Sequence, residues 1–428
     1  MNTLLSILTY LTAINSALPF LRPNHRLVAL VLWPFKLVAG ALSPILALMS
    51  ILGALRGLRL RDGKLTGAGI IGALLAGRYI HLVTREHSAF ASAFGPDWPY
   101  RIPANIKPLM LSRRWFPVMN IPEDYAWQPN IVYGQNPETG ESLIADIWQP
   151  RSGMQRTGLA VIYVHGGAWR LGEKDMGTRA FFKRLASQGH VIMDIEYTIT
   201  PTTPLDWMVQ DVKRAILWMK KYAGNYGVSP QRIVLIGGSA GGHLSLLAAY
   251  TPNLPEFQPD DQDEETAVRG VVAFYPPVDL RALYDQTQVS YGQLFSSNRP
   301  SVADRGNIAG MHLIGMAPRD ESGRYVPYLA HVVGGSPDEL PEAYRLLSPN
   351  THIGPHCPPT LLLQGLDDFF QVAPGARQLY ESLRRAGITS ILVEYPHTQH
   401  AFDIILPRVS PVAQSAVYDV ERFLALMV

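Results

Sequence analysis

Residues 233–249 read Ile-Val-Leu-Ile-Gly-Gly-Ser-Ala-Gly-Gly-His-Leu-Ser-Leu-Leu-Ala-Ala. An apolar, strand-like run leads into a Gly-x-Ser-x-Gly turn, and a helix-forming segment follows, an order that predicts a nucleophile elbow. The glycines on either side of the serine let strand and helix approach closely and leave the hydroxyl exposed on a strained turn. Ser239 is therefore the candidate nucleophile.

A second motif lies upstream, where the apolar run Leu159–Val164 leads directly into His165-Gly166-Gly167-Ala168-Trp169. Attack on a carbonyl places negative charge on its oxygen, and preoriented backbone N–H groups that stabilise this charge contribute about 3 kcal/mol each. Gly166 and Gly167 let the backbone approach a substrate, and the N–H of Ala240 is the expected further donor. We expect His165 to order this loop by hydrogen bonding rather than to act as the base.

A serine nucleophile needs a histidine base and a carboxylate that orients it, and after an elbow these follow in the order acid, then histidine. The strand-like run Thr360–Gln364 ends close to Asp367 and Asp368, so one of these aspartates is the candidate acid. Two histidines, His397 and His400, follow them in the chain. The residues alone leave both choices open.

The order of these motifs, from about Tyr133 to the C-terminus, resembles the α/β-hydrolases of the hormone-sensitive-lipase and carboxylesterase type. The resemblance implies that the acid is Asp368, the third residue after Gly365, and that the base is His400, which precedes Ala401-Phe402. Asp367 and His397 are the alternatives.

The oxyanion loop departs from the His-Gly-Gly-Gly form of that family, because Ala168 replaces the third glycine. The resulting His-Gly-Gly-x-Trp form is similar to that of kynurenine formamidases and isoprenylcysteine methylesterases. Hydrolysis of an amide or a formamide is therefore an alternative to ester hydrolysis.

Strand-like and helical segments alternate through the second half of the chain, which predicts a mostly parallel sheet covered by helices on both sides. Helices are expected from Pro204 to Tyr222 and from Val412 to Met427. About eighty residues separate the strands near Phe274 and Leu361, more than a crossover needs, and we expect a lid at about 281–350. The strand-like runs centre on Val161, Val191, Ile233, Val271, Leu361 and Leu392.

The N-terminal part is apolar, since neither residues 1–21 nor the nineteen residues Leu37–Leu55 contain a charged side chain. As a helix the second stretch would measure about 28 Å, close to the thickness of the hydrocarbon core. We expect membrane-associated helices in 1–90, a linker that wraps the catalytic domain in 91–130, and the hydrolase domain in 131–428. The stretch 65–77 is expected to be too short to cross upright, and a buried helical cap is the alternative for the whole region.

Charge divides the chain in the same way. Residues 1–80 contain eight basic residues and one acidic residue, a net charge of +7. The whole chain has 37 basic and 35 acidic residues, which leaves 29 and 34 for the remainder, a net charge of −5. Basic residues beside apolar helices favour contact with anionic lipid headgroups. They occur at both ends of the apolar stretches, so the side of the membrane stays open.

Several classes of site are not expected. Cys357 is the single cysteine, so no intrachain disulfide forms. The acidic run 260–265 lacks the glycine turn of a calcium loop and is interpreted as a solvated loop, and His352, His356 and Cys357 do not have the spacing of a zinc site. Walker-type phosphate loops are absent, and outside 1–80 there is no basic patch for nucleic acid. We expect no metal and no cofactor.

The sequence thus predicts a membrane-anchored serine hydrolase that cleaves carboxylic esters of hydrophobic substrates through an acyl-enzyme intermediate. Its expected partners are a small hydrophobic ester or acyl substrate and the lipid membrane. An acyltransferase that uses the same three residues is the first alternative, because acyl transfer differs from hydrolysis only in the acceptor. A non-catalytic scaffold is the least favoured.

Overall fold

The computed structural model describes residues 2–23, 26–137, 140–199, 204–259, 265–286, 327–370 and 372–428. Two predictions fall largely outside these residues. They are the solvated acidic loop, of which 260–264 are not described, and the lid, of which 287–326 are not described.

One eight-stranded sheet forms the centre of the fold, with the strand order β1-β2-β4-β3-β5-β6-β7-β8. The last six strands in this order pair in parallel, whereas β1 and β2 pair with each other and β2 pairs with β4 in antiparallel fashion. The strands are β1 (Tyr125–Gln135), β2 (Ser142–Pro150), β3 (Ala160–Val164), β4 (Val191–Ile195), β5 (Ile233–Gly238), β6 (Gly270–Phe274), β7 (Thr360–Gly365) and β8 (Ser390–Tyr395).

Helices cover the sheet and extend the chain at its N-terminus. The helices are α1 (Asn2–Ala17), α2 (Arg26–Ala41), α3 (Ser43–Leu60), α4 (Gly63–Thr84), α5 (Ala89–Phe94), α6 (Arg179–Ser187), α7 (Leu205–Lys221), α8 (Ala223–Tyr226), α9 (Ala240–Tyr250), α10 (Tyr328–Val333), α11 (Pro341–Leu346), α12 (Ala373–Arg385) and α13 (Pro411–Met427).

The sheet is buried on both faces, as its near-continuous apolar strands require. Along β3, Ile162 belongs to a core shared with α7 and α9, whereas its neighbours Val161 and Tyr163 belong to a core shared with α6 and α13. Successive side chains of a strand point to opposite faces, so two helical layers enclose the sheet. The predicted α/β fold with a mostly parallel sheet is confirmed.

The six predicted strands correspond to β3 through β8, and the predicted helices at 204–222 and 412–427 correspond to α7 and α13. Strands β1 and β2 were not predicted. β1 begins at Tyr125, inside the segment expected to be linker, and most of its residues are exposed or half-buried. It lies at the sheet edge, where exposure weakens the apolar pattern that marks a strand.

The N-terminal helices differ from the expected lengths. Leu37–Leu55 is not one helix, because α2 ends at Ala41 and α3 begins at Ser43. Pro44 has no N–H to donate to the preceding turn, which favours a helix break at this point. In contrast, the stretch 65–77 is part of the 22-residue α4, which measures about 33 Å at 1.5 Å per residue and is not too short to cross.

Two helical stretches among the described residues, Ser43–Leu60 and Gly63–Phe94, have the length and composition of membrane spans. Helices α1, α3 and α4 pack against one another through small residues. A Cβ atom added at Gly69 would lie 2.4 Å from the backbone N of Ala54, and one at Gly53 would lie 2.3 Å from the Thr9 side chain. Large apolar side chains face outward, among them Ile14, Leu48, Leu55, Leu58, Ile71 and Leu74.

The segment predicted to be linker packs against α13 through buried polar contacts. The Arg114 guanidinium lies 2.7 Å from Oδ1 of Asp419, and the Leu111 N–H donates to Oε2 of Glu421 at 2.6 Å. Breaking one partner of such a buried pair leaves an uncompensated charge, which strongly destabilises a fold. These contacts therefore tie the segment to the sheet-covering helices.

Candidate active site

Ser239 joins the end of β5 to the start of α9 with a backbone φ of 56° and ψ of −120°. This conformation is strained for a residue with a side chain. A Cβ atom added at Gly237 would lie 2.3 Å from the Gly241 carbonyl oxygen, and one at Gly241 would lie 2.0 Å from the Val164 carbonyl oxygen. Both glycines are therefore required for this turn, which has the backbone of a nucleophile elbow.

His165 lies between the strand β3 and the glycines that follow it. Its Nδ1 donates to the Gly166 carbonyl oxygen at 2.7 Å, its ring stacks on Tyr197 at 4.3 Å, and the Tyr197 hydroxyl donates to the His165 carbonyl oxygen at 2.9 Å. Burial lowers the pKa of His165 to about 4, so the imidazole is neutral at pH 7. These contacts support the prediction that His165 orders the loop.

Gly166 lies beside the nucleophile, and Gly167 follows it in the loop. A Cβ atom at Gly166 would lie 3.5 Å from the Ser239 Cβ atom, and Gly167 has a φ of +132° with the Leu171 carbonyl oxygen 1.7 Å from where its Cβ would be. Ala240 is the first residue of α9, and the N–H of a first helical residue has no acceptor inside its own helix. Gly166 and Ala240, two of the three predicted oxyanion residues, thus lie next to the serine.

Ala168 and Trp169 both have positive φ, at 53° and 60°. The Trp169 indole donates to Nδ1 of His243 at 3.2 Å, and Nε2 of His243 donates to the Leu347 carbonyl oxygen at 2.8 Å. Burial lowers the pKa of His243 to about 4, which keeps Nδ1 free to accept. The tryptophan that distinguishes this loop therefore holds it to the helix that follows the nucleophile.

The structure brings Ser239, His400 and Asp368 together in one hydrogen-bonded chain. Nε2 of His400 lies 2.9 Å from Oγ of Ser239, and Nδ1 of His400 lies 2.8 Å from Oδ2 of Asp368. Asp368 and His400 are buried, and Ser239 is partly exposed. A neutral imidazole that donates from Nδ1 to the carboxylate presents a free Nε2 to the hydroxyl, as a general base requires.

The two alternative residues lie outside this chain of hydrogen bonds. Nδ1 of His397 lies 3.6 Å from Oδ2 of Asp367. Arg22 and Lys36 contact the same carboxylate, at 3.0 Å and 3.6 Å. Asp367 and His397 thus belong to a separate charged cluster.

Two aromatic residues that the motifs did not reveal pack on the His400 ring. The centroid of Tyr275 lies 4.3 Å away, and that of Phe370 lies 4.7 Å away in an edge-to-face arrangement. The Tyr275 hydroxyl donates to Asp403, and burial raises the pKa of that carboxyl. Tyr275 directly follows β6, at the carboxyl edge of the parallel sheet. This position is the sequence feature that could have identified it as a residue of the site.

Among the residues that the structure describes, no group of three or more His, Cys, Asp or Glu side chains could hold a metal ion. His352 and His356, considered above for zinc, donate from Nε2 to the carbonyl oxygens of Leu346 and Tyr250. The groups that the described residues bring together at the site are the serine, the imidazole, the carboxylate and the loop amides.

Comparison with known proteins assigns the chain to a family. The BD-FAE family profile matches residues 145–383 of this chain, which is more than half of it. The chain is similar to the probable carboxylic ester hydrolase LipM of Mycobacterium tuberculosis, with 33% identity over 72% of this chain and 63% of LipM. It is also similar to the esterase LipQ of the same organism, with 29% identity over 78% of this chain and 72% of LipQ.

Among solved structures, esterase B from Lactobacillus rhamnosis matches with a TM-score of 0.52 and 21% identity over 72% of this chain and 88% of that protein. At this identity the likeness shows the fold, which is that of the α/β-hydrolases. The chain spans about 63% of the length of LipM, less than two thirds of that relative.

Proposed function

The chain belongs to the BD-FAE family, and we propose that it is a membrane-anchored serine hydrolase that cleaves carboxylic esters of hydrophobic substrates. The observation that carries the proposal is the hydrogen-bonded chain from Ser239 through His400 to Asp368. The esterase names of LipM and LipQ support esters as the substrate class.

In the acylation step, Oγ of Ser239 attacks the ester carbonyl carbon while Nε2 of His400 accepts the hydroxyl proton. The carbonyl oxygen gains the negative charge, and the amides of Gly166, Gly167 and Ala240 are the proposed donors to it. The tetrahedral intermediate then collapses, and the C–O bond to the alcohol breaks. His400 returns its proton to the leaving alkoxide, and an acyl-enzyme remains on Ser239.

In the deacylation step, water attacks the acyl carbonyl carbon and gives its proton to His400. The second tetrahedral intermediate releases the carboxylic acid, and the proton returns to Oγ of Ser239. Throughout, Asp368 accepts the Nδ1–H of His400 and stabilises the imidazolium that forms in each step. No cofactor takes part in this proposal.

The membrane anchor is proposed for α1, α3 and α4. In these helices small and hydroxyl-bearing residues lie inside and large apolar residues lie outside, the reverse of a water-soluble bundle. Their contacts use Gly53, Gly69 and Gly72, and the residues buried among them include Thr9, Thr12, Ser16 and Ser50. The large apolar side chains lie on the outside. Lipid-embedded helices pack in this way, through small and hydroxyl-bearing residues, because lipid solvates the large apolar ones. The pattern favours a membrane anchor over the buried helical cap.

Covalent labelling by a fluorophosphonate tests the hydrolase proposal. The probe phosphonylates a serine that a histidine activates, with fluoride as the leaving group. We expect peptide mapping to find the label on Ser239 of the native protein, and heat-denatured protein to remain unlabelled. Absence of label on the native protein, or a label on another residue, would overturn the assignment of the nucleophile.

A pair of lysine substitutions tests the anchor. Leu48 and Leu52 lie mid-way along α3 and are 57% and 51% exposed. A lysine at the centre of a membrane-spanning helix costs about 3 kcal/mol. We therefore expect the double variant Leu48→Lys, Leu52→Lys to appear partly in the supernatant after an alkaline carbonate wash of membranes.

The matched control for this test is Leu171→Lys in the hydrolase domain, where Leu171 is also 57% exposed. The control and the wild type are expected in the membrane pellet. Recovery of the wild type in the carbonate supernatant would contradict the anchor.

A further inference from the structure

Helix α2 contacts the backbone of the proposed base, although 367 positions separate them in the chain. The Trp33 indole N–H donates to the His400 carbonyl oxygen at 3.3 Å. The Trp33 ring also meets Phe370 edge to face, with 5.9 Å between centroids, and Phe370 in turn packs on the His400 imidazole. Trp33 thus touches both the main chain of His400 and the aromatic residue that packs on its side chain.

The same helix and the chain just before it contact the residue adjacent to the proposed acid. Arg22 lies 3.0 Å from Oδ1 of Asp367, and the buried Lys36 lies 3.6 Å from Oδ2. Lys36 and Trp33 are three residues apart, which places them on one face of α2. The Lys36 ammonium also donates to the Leu21 carbonyl oxygen at 2.8 Å. This face therefore holds the acid loop, which contains Asp367 and Asp368, as well as the base loop, which contains Thr398 and His400.

The acid and base loops also contact each other and α4. The Asp367 N–H donates to the Thr398 carbonyl oxygen at 3.0 Å. The Thr398 hydroxyl lies 3.4 Å from the hydroxyl of Tyr79 on α4. Movement of α2 would thus be transmitted to both loops, and each loop would move the other.

The opposite face of α2 is apolar and exposed, with Val31, Phe35 and Val38 outermost. An exposed apolar face on the N-terminal helical region fits the lipid-facing surface proposed above. Helix α2 thus has one face on the two loops, and its opposite face is exposed and apolar, like the outer faces of α1, α3 and α4.

We propose that α2 is a positioning element of the catalytic site, with Trp33 and Asp367 as positioning residues that fix the base and acid loops. This inference rests on the proposed function. The helix keeps the main chain of His400 and of Asp368 in register with Ser239, and a misplacement of 1 Å costs about a hundred-fold in rate. Helix α2 is on this basis part of the catalytic unit, and it lies next to helices proposed as the anchor.

Trp33→Phe in the full-length protein tests the proposal, because it removes the indole N–H and keeps an aromatic ring. Partial release of the loop is expected to lower kcat for p-nitrophenyl acetate by about ten-fold and to leave KM within about two-fold, since positioning acts on the transition state. Asp367→Asn removes the charge that faces Arg22 and Lys36, and we expect a similar loss of kcat.

Trp115→Phe is the matched control. The Trp115 indole also donates to a backbone carbonyl oxygen, that of Val409, at 3.2 Å, and neither residue belongs to the site. The control is expected to keep the wild-type kcat, with a melting temperature close to that of Trp33→Phe.

Equal kcat values for Trp33→Phe and Trp115→Phe in an active wild type would overturn the positioning role and leave the hydrolase proposal intact. If Trp33→Phe does not fold, Asp367→Asn decides, and wild-type kcat in that variant would overturn the role. Loss of folding in both variants would overturn it in favour of a purely structural contact. A wild type without turnover or label would instead overturn the proposed function.

Discussion

Replacement of Ser239 by alanine is expected to lower kcat for p-nitrophenyl acetate by about a million-fold, which is the scale found when a serine nucleophile is removed. The hydroxyl is the only atom group lost, and its partner Nε2 of His400 then has no nucleophile to activate. Residual turnover is expected from the oxyanion amides and substrate binding alone. Steady-state hydrolysis measures the loss of turnover, and fluorophosphonate labelling of the same sample measures the loss of the nucleophile.

Ser245→Ala is the matched control for this substitution. Ser245 is a buried serine on α9, the helix that begins directly after Ser239, and its Oγ has no hydrogen-bond partner among the described residues. We expect this variant to keep the wild-type kcat and labelling. If Ser239→Ala retained more than about one hundredth of wild-type kcat, the acyl-enzyme mechanism would be wrong, because no other group could form the intermediate at that rate.

The local parts of the site could be predicted from the sequence. The elbow around Ser239 and the loop after β3 depend on glycines that lie within a few residues of one another in the chain. The positive backbone φ angles that strain these turns lie in the same short segments. Buried parallel strands are apolar throughout, so runs of apolar residues in the sequence predicted β3 to β8. Their alternation with helical segments then predicted a mostly parallel sheet covered by helices.

The distant parts could not be predicted from the residues alone. Asp367 and Asp368 are adjacent, and the choice between them depends on contacts with Arg22, Lys36 and His400 that lie far away in the chain. No sequence motif marks Trp33 as a residue near the base. Strand β1 was missed for a different reason, because an exposed edge strand lacks the apolar pattern of a buried one.

Asp368→Asn is expected to lower kcat by about ten-thousand-fold, the second largest effect we predict. Oδ2 of Asp368 accepts the Nδ1–H of His400 at 2.8 Å, which leaves Nε2 free to take the proton of Ser239. An asparagine at this position can turn its amide toward Nδ1, which would favour the tautomer that carries its proton on Nε2. That tautomer cannot accept the serine proton, and no carboxylate remains to stabilise the imidazolium.

The neighbouring aspartate supplies the control for this substitution, since Asp367→Asn makes the same chemical change one residue earlier. Asp367 contacts Arg22, Lys36 and His397, and His400 lies with Asp368 instead. The loss of kcat in Asp367→Asn is therefore expected to be about ten-fold, as a loop displacement would cause, and about a thousand-fold smaller than in Asp368→Asn. Esterase kinetics on both variants at pH 7 separate the two aspartates. A larger loss in Asp367→Asn would transfer the role of the acid to Asp367, because only the carboxylate that orients the base has so large an effect on kcat.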